Sequence, residues 1–69
     1  MKLKDLAKQV FMGKDKKTQS ICIYDLNEQG KPCAICQDYA DEILETHGDK
    51  EVIGLHHYSE TKECLVVRL

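Results

Sequence analysis

Four cysteines and three histidines are the side chains of this 69-residue chain that could bind a metal ion or carry out thiol chemistry. Cys33 and Cys36 form a Cys-x-x-Cys motif directly after Pro32. Two thiolates at this spacing are suited to zinc binding or to disulfide exchange. A third interpretation needs no chemistry, because free cysteines also pack in protein cores as small hydrophobic side chains.

The motif falls at the predicted start of a helix. Pro32 suits the first turn of a helix, and apolar residues recur at helical spacing as far as His47, so the sequence predicts a helix over 32–47 that ends at Gly48. The unpaired N–H groups at a helix N-terminus favour the thiolate form of a cysteine. We therefore expect Cys33 and Cys36 to be activated by their position.

Two families resemble this segment. A Cys-x-x-Cys between a strand and a helix is similar to thioredoxin and glutaredoxin, which implies disulfide exchange, although the cis-proline of that family has no counterpart because Pro32 is the only proline. Pro-Cys-x-x-Cys is also similar to half of the zinc deaminase motif. Deaminases need a His-x-Glu or Cys-x-Glu on an earlier helix, and the first predicted helix contains neither His nor Glu, so we do not expect deaminase activity.

The hydrophobic pattern predicts an α+β fold with the order α-β-α-β-β. The predicted elements are a helix over 2–12, a strand over 20–26, the helix over 32–47, and strands over 51–58 and 63–69. A right-handed crossover makes the first two strands parallel, and a hairpin loop over 59–62 adds the third strand antiparallel to the second. Both helices then pack on one face of a three-stranded mixed sheet.

This fold predicts a structural zinc site. The first two strands would end at the same edge of the sheet, and the hairpin would pair His57 with Cys64. Three thiolates and one imidazole can hold zinc in a tetrahedral site. The predicted ligands are Cys33, Cys36, His57 and Cys64. A shift of one residue in register would replace His57 with His56. Cys22, near the other end of its strand, is interpreted as a core thiol.

The charges are unevenly distributed along the chain. Residues 1–17 contain six Lys and two Asp, whereas residues 18–69 contain ten acidic and four basic side chains. Lys14, Lys16 and Lys17 would suit nucleic acid, but no aromatic or Arg-rich pattern accompanies them, so we favour contact with the acidic remainder of the chain. The predicted second helix has an acidic face that would suit a basic partner or serve solubility. This face consists of Asp38, Asp41, Glu42 and Glu45.

The chain is interpreted as one small domain over 1–69, with a basic helix and connector over 1–17 and an acidic β-α-β-β unit over 18–69. No apolar run exceeds four residues, and the start lacks the apolar region of a secretory signal. If the chain is complete, we expect it in the cytoplasm, with thiols rather than disulfides and without membrane association.

The sequence contains no complete catalytic arrangement. It has no Gly-rich phosphate loop, and no carboxylate or Asn is identifiable to orient a Cys33–His57 dyad. We therefore predict a non-catalytic binding or regulatory protein without a cofactor, which binds a protein partner through the acidic helix face and an open strand edge. A second copy could pair with that edge instead. The alternative function is a thiol protein centred on Cys33 and Cys36, with either structural zinc or disulfide exchange.

Overall fold

The computed structural model describes residues 1–15, 17–54 and 56–69 of the chain. Within these residues, two helices and four strands occur in the order α-β-β-α-β-β. The helices are α1 (Leu3–Val10) and α2 (Ala40–His47), and the strands are β1 (Ser20–Leu26), β2 (Pro32–Tyr39), β3 (His57–Ser59) and β4 (Cys64–Arg68). The α+β class with two helices and a mixed sheet is therefore confirmed, whereas the predicted element order is not.

The four strands form one mixed sheet in the order β2-β1-β4-β3. Strand β1 is antiparallel to β2 and parallel to β4, and β3 is antiparallel to β4. The prediction of a three-stranded sheet is wrong, because residues 32–39 form an additional strand, β2. The predicted parallel pairing of β1 with the strand over 51–58 is also wrong, since the parallel neighbour of β1 is the C-terminal strand β4. Strand β2 therefore lies at one edge of the sheet and β3 at the other.

The predicted helix over 32–47 is wrong in its first half, where the chain forms β2. The reason is the short turn after β1, in which the Asn27 Oδ1 accepts hydrogen bonds from the backbone N–H groups of Gln29 at 2.9 Å and Lys31 at 3.0 Å. Gly30 in this turn has a φ of +77°, which glycine adopts without steric cost. The turn returns the chain along β1, where cross-strand hydrogen bonds replace helical ones.

The predictions of the first helix and the first strand are confirmed. Helix α1 buries the apolar stripe that predicted it, and β1 alternates between buried residues and residues that are half-buried or exposed. The core lies between the two helices and one face of the sheet, and its buried residues form one cluster. They are Leu3, Leu6, Ala7, Phe11, Ile21, Ile23, Ala40, Ile43, Leu65 and Val67. Neither helix of the described chain is long and apolar enough to cross a membrane.

The C-terminal hairpin is shorter than predicted. Of the predicted strand over 51–58, only residues 57 and 58 belong to β3, and position 55 lies outside the described residues. Ser59 pairs with Cys64 and His57 with Val66, so the predicted pairing of His57 with Cys64 is wrong by two residues. The predicted strand over 63–69 is present as β4.

Candidate functional site

The Cys-x-x-Cys motif lies inside a strand. Cys33 and Cys36 belong to β2, opposite Asp25 and Ile23 of β1, and helix α2 begins only at Ala40. The expectation that a helix N-terminus activates these thiols is therefore wrong. The strand-motif-helix arrangement on which both family resemblances depend is also not present. Cys33 is exposed, and Cys36 is half-buried against the core.

The structure does not bring the four predicted zinc ligands together. Cys33 and Cys36 lie on one edge strand and His57 on the other, so three strand spacings of roughly 4.8 Å separate them. Cys64 lies on β4, between these edges. Among residues 1–15, 17–54 and 56–69, no group of three or more His, Cys, Asp or Glu side chains is arranged to hold a metal ion. The zinc site stays a prediction from the sequence that the geometry does not support.

A shallow cavity lies on the face of the sheet that the helices leave uncovered. Its volume is about 330 Å³, and it is lined by Cys22, Gln37, His57, Ser59, Lys62, Cys64 and Val66. The sequence predicts Cys22 as a core thiol. In the structure Cys22 is half-buried and lines this cavity instead. Burial raises the pKa of the Cys22 thiol, and the neighbouring Cys64 and Cys36 raise it further. Cys22 therefore stays protonated at neutral pH, which disfavours a reactive thiolate.

Strand β2 presents a long edge of the sheet to solvent. It pairs with β1 on one side, and no strand of the described chain lies on its other side. All eight of its residues except Cys36 are exposed. An edge of this kind offers backbone N–H and C=O groups to an additional strand. The outer side of β2 is thus an open sheet edge within the described chain.

Apolar side chains accompany this edge. Ile35 is 64% exposed and Tyr39 is 57% exposed, so two of the exposed large apolar side chains of the described residues lie on this strand. The register between β1 and β2 shifts between Ile23 and Tyr24, so Ile35 has no partner residue in β1. Ile35 therefore lies at a β-bulge near the middle of the strand.

Acidic side chains occur at the C-terminal end of β2 and in the helix that follows it. Asp38 belongs to β2 rather than to a helix, and Asp41, Glu42 and Glu45 lie on α2 directly after it. All four are exposed, and no cationic side chain of the described chain forms an ion pair with them. One of the four predicted acidic residues thus lies on β2, and the other three lie on the helix that follows it.

One lysine of the predicted basic cluster contacts the C-terminal hairpin. The Nζ atom of Lys14 donates a hydrogen bond to the hydroxyl of Tyr58 at 2.9 Å and lies 4.2 Å from the centre of its ring. Lys17 is exposed, and Lys16 lies outside the described residues. Lys14 thus contacts an aromatic side chain of its own chain, and neither Lys14 nor Lys17 forms an ion pair within the described residues.

Sequence reasoning missed Ile35 and Tyr39 because both lay inside the predicted helix over 32–47. The available signal was the Asn27–Gly30 turn, since turns of this composition commonly connect the strands of a hairpin. Comparison of the chain with protein-family models, characterised proteins and solved structures found no match.

Proposed function

We propose that this chain is a non-catalytic binding protein that takes up an extended segment of a protein partner as an additional strand along β2. The observation that carries this proposal is the eight-residue edge strand, which is exposed along its length and has no strand on its outer side within the described chain. In strand addition, backbone hydrogen bonds supply much of the affinity, and side-chain contacts supply the specificity.

Ile35 and Tyr39 supply the apolar part of this recognition. Full burial of an Ile side chain contributes about 1.5–3 kcal/mol, and 64% of Ile35 is still accessible to a partner. Tyr39 adds a large side chain with a polar end, a type that is common at protein interfaces. We therefore expect the partner segment to carry apolar residues at alternating positions, which face the same side of the sheet.

The acidic residues favour a partner segment that has a basic residue next to its strand. Asp38, Asp41 and Glu42 lie at the end of β2 without a cationic partner in the described chain, so a basic residue in the flank of the partner would contact them. Exposed ion pairs contribute only about 0–1 kcal/mol each. Their role here is to set the direction of the added strand rather than to provide most of the affinity.

A peptide library tests this proposal. The immobilised chain, kept at low surface density, is used to select from random displayed peptides, and binding of the best peptide is measured by fluorescence anisotropy. We expect apolar peptides with a basic flank. We also expect Ile35→Lys to weaken their binding by about tenfold or more, because it places a charge at the apolar contact point.

Ile53→Lys is the matched control, since Ile53 is 66% exposed and lies outside β2. It should leave peptide binding unchanged. The proposal is wrong if no peptide is enriched, or if the enriched peptides bind Ile35→Lys as tightly as the parent chain.

A further inference from the structure

We infer that a second copy of this chain occupies the β2 edge when no other strand is bound, with the two β2 strands antiparallel about a two-fold axis. This inference rests on the proposed function in that both use the same edge. Beyond the proposed function, it states that the bound strand is β2 of a second copy and that this strand runs antiparallel. Three features of the structure support it.

The first feature is the distribution of charge along the edge. Lys31 is exposed directly before β2, whereas Asp38 and Asp41 lie at its C-terminal end. Antiparallel pairing places Lys31 of each copy beside the acidic end of the other copy, so the complementary contact occurs twice. Parallel pairing would instead place Asp38 beside Asp38, and like charges directly opposite each other are destabilising.

Within one copy, these charged side chains form no ion pairs among the described residues. The three ion pairs of the described residues are those of the Met1 ammonium with Glu51, Lys4 with Asp49, and Arg68 with Asp25. Lys31 takes part in none of them, and neither do the acidic residues at the end of β2. Self-pairing would therefore add ion pairs without breaking existing ones.

The second feature is the apolar centre of the strand. Antiparallel pairing about a point between Ile35 and Cys36 places Ile35 of each copy opposite Cys36 of the other. The same register brings Tyr39 of each copy beside Pro32 of the other. Ile35 and Tyr39 are two of the large apolar side chains that are exposed in a single copy. Self-pairing covers both and so removes apolar surface from water.

The third feature is that pairing through β2 stops at two copies. Two copies joined through β2 would form a continuous sheet whose remaining edges are the two β3 strands. Strand β3 has only three residues, and short edge strands resist further pairing. A two-fold contact uses the same surface of both copies. The expected assembly is therefore a dimer and not an open fibre.

Sedimentation velocity of the reduced protein, from micromolar to millimolar concentration, tests this inference. We expect a reversible shift from the 7.9 kDa monomer to the dimer as concentration rises. Ile35→Lys should raise the dimer dissociation constant by about tenfold or more, whereas the control Ile53→Lys should not change it. Circular dichroism confirms that each variant is folded.

Charge reversal tests the direction of pairing. Lys31→Glu should weaken the dimer, and Asp41→Lys in the same chain should restore it, because the exchanged charges again meet across the two-fold axis. Glu60→Lys, in the loop between β3 and β4, is the control for net charge and should give no rescue. A dimer that Lys31→Glu leaves unchanged would overturn the antiparallel arrangement.

The outcomes separate this inference from the proposed function. A chain that stays monomeric at every concentration but binds selected peptides at β2 overturns self-pairing alone. A chain that dimerises through Ile35 but selects no peptide overturns the proposed partner. If both occur, a selected peptide should dissociate the dimer. A peptide that binds without dissociating it would show that the two do not share the edge, which would contradict the inference.

Discussion

Tyr58 is the residue that ties the short strand β3 to the rest of the core. Its ring meets that of Phe11 edge to face, with the centroids 5.8 Å apart. Its hydroxyl donates a hydrogen bond to the Oε1 atom of Gln19 at 2.5 Å, and Gln19 is only 4% exposed. A buried acceptor without a partner is costly, so this hydroxyl has a structural role.

We therefore predict that Tyr58→Phe lowers the free energy of unfolding by about 1–3 kcal/mol, because the Gln19 oxygen loses its hydrogen-bond donor. Tyr39→Phe is the control, since Tyr39 is 57% exposed. It should change stability by less than about 0.5 kcal/mol. Urea unfolding of both variants measures the difference, and equal effects of the two substitutions would refute this role for Tyr58.

Three exposed carboxylates have a lowered pKa and so link stability to pH, and one of them is Glu51, which accepts a hydrogen bond from the Met1 ammonium. The backbone N–H of Leu26, together with the Arg68 guanidinium, lowers the pKa of Asp25. The hydrogen bond and the positive charge of Lys4 lower the pKa of Asp49. A lowered pKa in the folded state means that the carboxylate stabilises the fold above its ordinary pKa, and that this stabilisation is lost as pH falls through the folded value.

We accordingly predict that the melting temperature falls as pH drops below about 4. The effect should be modest, because all three carboxylates are solvent-exposed. A chain with Asp25→Asn and Asp49→Asn should be slightly less stable at neutral pH and should lose less stability on acidification. Thermal unfolding between neutral and acidic pH measures this. An acid transition that is identical in the double variant would mean that other groups cause it.

Among the secondary-structure elements, the turn between β1 and β2 determines that β2, the strand of the proposed binding edge, pairs with β1. Gly30 has a φ of +77°, and a side chain there would meet no other atom within 4 Å, so the restriction comes from the backbone alone. We predict that Gly30→Ala costs about 1 kcal/mol of stability, because residues other than glycine are strained in this conformation.

Glu28→Ala, in the same exposed turn, is the control for Gly30→Ala and should have little effect. Chemical denaturation compares the two variants. If Gly30→Ala were as stable as Glu28→Ala, the turn would not have the described conformation, and the assignment of β2 as a hairpin strand would lose its local support.

Local patterns in the sequence were sufficient for some elements and insufficient for others. The apolar stripe over 2–12 and the β-branched run over 20–26 each favour one structure, and both predictions are confirmed. The segment over 32–39 is different, because Cys33, Cys36 and Tyr39 also fit the helical spacing that continues into α2. Pairing with β1 decides the outcome there, and pairing is a property of two segments together.

At the scale of the whole molecule, the sheet order depends on contacts between distant parts of the chain. Strand β1 pairs in parallel with β4, so Ser20 lies beside Cys64. No local pattern specifies this neighbour, and the hydrophobic pattern instead predicts the strand over 51–58 beside β1. The predicted zinc site depended on that arrangement. The predicted open strand edge did not, since any open sheet of this size has edges.

We propose above all that the outer edge of β2 binds an additional strand. Amide hydrogen exchange of the chain, measured at a concentration low enough for it to be monomeric, is compared with and without a saturating selected peptide. We expect alternate amides over 33–39 to exchange at least about tenfold more slowly in the complex, while those of β3 do not change. Slowing at β3 or on the uncovered sheet face, with none in β2, would contradict this proposal.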